Sequence, residues 1–137
     1  MTSPVLIDPS AVLAILFDDE DDAYARGVLD HAARHGSAVP YLFWYEIKHV
    51  MIKGIRHERT TRARADEQAA LLRGLVASTV ADPTDRAVMD AAERGNLSGY
   101  DAVYAAVAAR DGLSLATLDA SLKRAANPLR YDLWQSS

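Results

Sequence analysis

The run Val5-Leu6-Ile7 passes directly into Asp8-Pro9, and this junction constrains the fold more than any other stretch of the chain. Three branched apolar residues with no polar alternation, bounded by Pro4 and Asp8, read as a strand buried on both faces. Asp8 then stands where a helix N-cap is expected, with Pro9 at the first helical position and a helix through 10–17. A strand feeding straight into a helix is one βα unit. A chain built by repeating that unit forms a parallel sheet with helices on both faces.

The alternation continues along the chain. The acids Asp18 to Asp22 suit the positive end of a helix macrodipole and predict a helix running to about residue 35 and stopping at Gly36. Ser37-Ala38-Val39 reads as a second short strand, and Pro40 opens a helix over 41–54. Alanine, leucine, arginine and glutamine favour a further helix over 60–74. A strand over 78–81 leads through Asp82-Pro83 into a helix over 84–94 ended by Gly95. Ser98-Gly99-Tyr100-Asp101 has the capping-box pattern, with its helix continuing to Gly112. A short strand within 113–118, a helix over 119–126 and a last strand over 130–134 complete the series.

At 137 residues the chain fits one domain, 1–137, better than two. No run of about 18 uncharged apolar residues offers a membrane span, and Met1-Thr2-Ser3-Pro4 lacks the basic flank of a signal peptide. A cytoplasmic location and no membrane association are therefore expected. With no cysteine, a metal would have to sit on oxygen or imidazole.

Asp8, Asp101 and Asp119 each fall at or near a helix start, and Asp8 and Asp119 directly follow inferred strands. Each one alone reads as a cap. Together they gather beyond the carboxyl ends of strands, where open α/β sheets bind ligands. Glu46 interrupts the nearly continuous apolar stretch 43–51, either turned to solvent or buried with a partner. Four carboxylates without sulfur suit a hard cation, Mg²⁺ or Mn²⁺, and with it phosphodiester hydrolysis.

Other motifs give less. His31 and His35 have the spacing of a zinc helix, but position 32 is alanine where a metalloprotease carries its glutamate. Glu46 and His49 form one Glu-x-x-His, and a di-iron bundle needs two. No glycine-rich phosphate loop is present. Over 48–64 six basic residues, Lys48, Lys53, Arg56, Arg59, Arg62 and Arg64, face Glu58 alone, within a chain of net charge −4. That segment is either a solvated helix face or a local contact for phosphates.

Four stretches carry a family resemblance. They are Val5-Leu6-Ile7-Asp8-Pro9-Ser10-Ala11-Val12-Leu13, Glu46 on its helix, Tyr100-Asp101-Ala102-Val103-Tyr104-Ala105-Ala106-Val107-Ala108, and Leu115-Ala116-Thr117-Leu118-Asp119. In this order the chain resembles the PIN-domain ribonucleases, and more closely the VapC-type toxins of bacterial toxin–antitoxin pairs. Pro9 and Leu122 depart from the residues most usual there, a small residue and an aromatic. The resemblance implies an α/β, PIN-like three-layer fold, a short central parallel sheet flanked by helices. It also implies a metal-dependent endoribonuclease that blocks translation.

On that resemblance Asp8, Glu46 and Asp101 hold Mg²⁺ or Mn²⁺, Asp119 binds directly or through water, and Ser10 and Thr117 orient ligands or waters. The expected partners are an RNA substrate, a cognate antitoxin protein and a second copy in a homodimer. The aromatic set Tyr41, Phe43, Trp44 and Tyr45 is offered for the dimer, and residues 24–28 and 43–47 for the apolar part of the antitoxin. A phosphatase of the haloacid-dehalogenase kind also begins with strand and aspartate, but it needs an acid where Ser10 stands. A non-catalytic PIN-like binding module would have lost one or more of the four acids.

Overall fold

The computed structural model describes residues 3–17, 22–76 and 78–136. Four parallel strands form its sheet: β1 (Val5–Ile7), β2 (Ser37–Pro40), β3 (Ser78–Val80) and β4 (Ser114–Ala116). Their order is β3-β2-β1-β4. The all-apolar β1 is therefore central, and Val5, Leu6 and Ile7 are wholly buried. The chain turns to β2 on one side of β1 and returns to β4 on the other, so the strand order reverses between β1 and β4. A crevice opens outside the carboxyl ends of strands at such a point. Ile7 pairs with Ala116, which sets Asp8 beside Thr117.

The helices are α1 (Leu13–Leu16), α2 (Ala23–His35), α3 (Tyr41–Arg56), α4 (Arg62–Leu75), α5 (Asp85–Gly95), α6 (Gly99–Asp111) and α7 (Ala120–Leu129). Most starts follow the sequence signals. Asp22 accepts from the amides of Tyr24 and Ala25, Thr84 from Ala87, Ser98 from Asp101 and Asp119 from Leu122. The rest of the acidic run expected to open α2, residues 18–21, lies outside the described residues. Gly36 at φ 89° and Gly112 at φ 64° end α2 and α6 as expected.

Four readings need correction. The helix expected over 10–17 is broken into a 3-10 turn, Pro9–Ala11, and the single turn α1. Asp8 occupies the cap position there without a side-chain capping bond. Asn96, rather than Gly95, adopts the left-handed conformation that closes α5. No strand forms over 130–134. Only Leu133 bridges Leu115, through bonds from the Leu115 amide to Asp132 O and from the Trp134 amide to Leu115 O, each 2.9 Å. The buried residues there, Tyr131 and Trp134, are three apart, a spacing a strand would turn to opposite faces. Finally, residues 24–28 and 43–47 mostly face inward. Ala25, Val28, Phe43, Trp44 and Ile47 are buried, leaving Tyr41 and Tyr45 as the exposed aromatics of α3.

The C-terminal segment is bound into the core through Trp134, which packs edge-on to Tyr24 with ring centroids 5.4 Å apart. Its removal also loosens Tyr24, which touches the site described below. Trp134→Ala is expected to cost about 3–5 kcal/mol, the range for deleting a buried aromatic. Urea unfolding followed by circular dichroism measures it, and a loss below about 1 kcal/mol would show that the segment is not part of the core.

Candidate active site

Asp8 ends β1 with 6% of its surface exposed, beside Thr117 at the end of β4. A buried carboxylate needs hydrogen bonds, and two hydroxyls supply them. Ser10 Oγ donates to Asp8 Oδ2, and Thr117 Oγ1 donates to the same oxygen at 2.8 Å. Each hydroxyl gives its proton to the carboxylate, which when ionised can only accept, and takes a backbone amide on a lone pair: Leu118 N–H on Ser10 Oγ at 2.9 Å and Asp119 N–H on Thr117 Oγ1 at 3.0 Å. The amides hold the two hydroxyl oxygens in place while each single proton points at Asp8. The main chain of the β4–α7 turn thus fixes the orientation of the Asp8 carboxylate. Tyr24 reaches into the same turn, donating to Thr117 O at 3.3 Å and accepting from Thr117 N at 3.1 Å.

Glu46 comes from α3, half-buried, and receives the hydroxyl proton of Tyr104 at 2.6 Å. Tyr104 itself is wholly buried in α6, one turn beyond Asp101. Asp101 enters from the first turn of α6, whose cap Ser98 fixes that turn. Asp119 caps α7 through Oδ1 on the Leu122 amide, 3.0 Å.

The acids lie within each other's fields. Burial pushes the Asp8 carboxyl up, the bonds from Ser10 and Thr117 pull it back, and Asp119 raises it further. Glu46 is pushed up by burial and by Asp8 and Asp101, against the bond from Tyr104. Asp101 is raised by burial, then by Asp119 and Asp8. The fold thus sets the four sequence-inferred site residues within electrostatic range of one another. Sequence reasoning passed over Tyr104 and Tyr24. Tyr104 stood in a quoted motif without a role of its own, and nothing at Tyr24 signalled a bond 93 residues away.

The donor set suits a hard divalent cation. Among the described residues no three acids or histidines close around one point as their side chains are set here. Mg²⁺, however, is usually held by one or two carboxylates and several waters, and converging, mutually raised carboxylates are what such an ion relieves. His31 and His35 lie elsewhere, their rings 4.8 Å apart and His31 Nε2 2.9 Å from Ser3 O.

Two outcomes follow. Because the Tyr104 bond lowers the Glu46 pKa, Tyr104→Phe should raise it, seen as an upward shift of the Glu46 carboxyl titration by NMR. No shift would mean that the hydroxyl does not position the glutamate. The raised acids bind protons more readily folded than unfolded, so the metal-free protein should lose stability as pH rises from about 4 through their raised pKa values. Accordingly Asp8→Asn or Asp101→Asn should raise the melting temperature of the metal-free protein at pH 7 by on the order of 2–5 °C. An unchanged or lower value would show that the repulsion is negligible.

Comparison with known proteins agrees with this geometry. A PIN domain family model matches residues 5–128, which contain all four acids. The crystal structure of PAE2754 from Pyrobaculum aerophilum is similar at 30% identity and TM-score 0.70, covering 89% of this chain and 78% of that one. No curated protein matches. With the motif order, the sheet order and the family match in agreement, the chain belongs to the PIN domain family, whose members are generally nucleases.

Proposed function

We propose that this protein is a metal-dependent endoribonuclease that hydrolyses RNA phosphodiester bonds, inhibits translation and is silenced by a cognate antitoxin. The observation that supports this best is the Asp8 carboxylate, locked by two oriented hydroxyls at the mouth of the β1–β4 crevice with three further acids around it. Asp8, Glu46 and Asp101 would hold Mg²⁺ or Mn²⁺, and Asp119 would act directly or through water. When bound, such a cation supplies Lewis acidity toward water and phosphate oxygens. The chain's own residues do the positioning. Ser10 and Thr117 hold Asp8, Tyr104 holds Glu46, and the Ser98 cap sets the first turn from which Asp101 projects.

The acidic site is also a receptor for arginine or lysine from an antitoxin. Since 24–28 and 43–47 are largely buried, the apolar part of that partner finds its surface along α4. Leu71 is 62% exposed there, beside a groove lined by Ile15, Leu29 and Leu75. Exposed Tyr41 and Tyr45 support the homodimer, which light scattering at micromolar concentration tests; a monomer mass would refute it.

Asp8→Asn, Glu46→Gln and Asp101→Asn should each lower RNA cleavage by about 100-fold or more while remaining folded, with Asp119→Asn milder. Cleavage should stop in excess EDTA and return with Mg²⁺ or Mn²⁺. Either metal should also raise the melting temperature, because it binds the folded state alone. Full activity of the folded Asp8→Asn protein, or undiminished activity in EDTA, would sink the reading.

A further inference from the structure

Three tyrosines stand exposed among the described residues, Tyr41 and Tyr45 on α3 and Tyr100 on α6. Their surroundings differ. Lys48 Nζ lies over the Tyr45 ring, 4.8 Å from its centroid. Tyr41 precedes Glu46 by five residues, which turns it away from that acid's side of the helix. Tyr100 directly precedes Asp101 and is 67% exposed, and its side chain makes no hydrogen bond or ring contact among the described residues.

Helix geometry places the Tyr100 ring. Residues three and four apart share a helix face, so Tyr100 and Asp101 both stand one turn before Tyr104 on its side of α6. Tyr104 is wholly buried with its hydroxyl on Glu46 Oε1, Asp101 is partly exposed, and Tyr100 is largely exposed. One face of α6 thus passes from core to acid to solvent within a single turn. Helical side chains lean toward the N-terminus, which carries the Tyr100 ring outward from the acids rather than back over them. The backbone beneath it is fixed. Ser98 Oγ accepts the Asp101 amide at 3.1 Å, and Ser98 O accepts the Ala102 amide at 2.9 Å. A Cβ on Gly99 would meet nothing within 4 Å, so the approach beside Tyr100 is open. A flat apolar ring is therefore held on a rigid turn, one residue from an acid that lies within the fields of Asp8 and Asp119.

We propose that Tyr100 positions the substrate by stacking on the base of a nucleotide next to the phosphate that is cut. The inference rests on the nuclease reading and adds to it the residue that seats the strand over the acids. Consecutive Cα atoms are about 3.8 Å apart, so a base on Tyr100 belongs to a nucleotide adjoining a phosphate at Asp101. Every base has a π-face, and the contact tolerates any sequence. It also needs no charge, which suits a site whose carboxylates repel a polyanion until a cation is bound.

The test measures kcat/KM of the intact protein with Mg²⁺ on a single-stranded 12-nucleotide RNA cut at one position. The same RNA is then given an abasic 1-deoxyribose residue on one side of the cut or the other. The wild type should lose about 10-fold on one of the two abasic strands. Tyr100→Ala should lose about 10-fold on the intact RNA and little more on that abasic strand, because both changes remove one contact. Tyr100→Phe should stay within about 2-fold of wild type, since it keeps the ring. The side chain is mostly in solvent, so Tyr100→Ala should melt within about 2 °C of wild type. The comparison of intact with abasic RNA decides the matter even where it melts lower. Losses that multiply to about 100-fold overturn the proposal, because the side chain then acts through Asp101 or the fold rather than on the base. Tyr100→Phe as impaired as Tyr100→Ala also overturns it, by assigning the effect to the hydroxyl. Undiminished cleavage by Tyr100→Ala defeats it while leaving the nuclease reading in place. If the wild type cuts no RNA, the nuclease reading fails and the stacking with it.

Discussion

A carboxylate at the end of the central, fully buried strand is the demand around which this molecule is arranged. Asp8 has little contact with bulk water from that position, and an unbonded charge there would cost several kcal/mol. Its bonds come from the two nearest points of the chain, Ser10 on the turn that follows β1 and Thr117 on the strand that pairs with it. Those hydroxyls are in turn aimed by the amides of Leu118 and Asp119. One oxygen thus ties the start of the first crossover to the start of α7. The 3-10 turn at Pro9–Ala11 belongs to the same arrangement, since an aspartate turned toward hydroxyls caps no helix.

Much of this was legible because local signals and tertiary demands agreed. Caps at Ser98 and Asp119 are read from residue type alone, and an apolar triplet before Asp8 admits no exposed face. The four acids were found because Glu46 interrupts an apolar stretch while Asp8, Asp101 and Asp119 recur at helix starts. What remained hidden depends on partners distant in sequence. The segment 130–134 has strand-like residues, yet it meets β4 only around Leu115 and buries Tyr131 and Trp134 by other means. No periodicity reveals that Tyr104 points at Glu46 across 58 residues, or that Arg62 and Arg64 turn to acids on their own helix. The aromatic run on α3 misled for a similar reason. Composition suggested a surface, whereas helical phase sent Phe43 and Trp44 inward and left Tyr41 and Tyr45 outside.

The acidic cluster also separates stability from function. Asp8, Glu46 and Asp101 are all raised by burial first and further by neighbouring acids, Asp119 acting on Asp8 and Asp101, and Asp8 and Asp101 on Glu46, so the folded chain holds them at a cost that the sheet and helices must offset. Nothing in the core requires this. Asparagine at position 8 would accept the same hydroxyl bonds without the charge. The retention of three mutually repelling carboxylates at the mouth of a crevice is therefore explained by what they bind rather than by what they hold together.

Helix α3 concentrates opposed charges within a chain of net charge −4. The helix carries Glu46 in its first half and Lys53 and Arg56 in its last turn, so its charges follow its own macrodipole at the C-terminal end. Cations placed there are stabilised locally, whether or not a ligand is present. Segregating charge along one rigid rod fixes the distance between its basic end and Glu46, because both ride on the same backbone hydrogen bonds. A loop could supply the same residues, but it would leave that distance to fluctuate. Position on a helix thus holds two opposed charge groups at a set spacing, and the strained turn at Glu58 brings Arg59 back over Phe17.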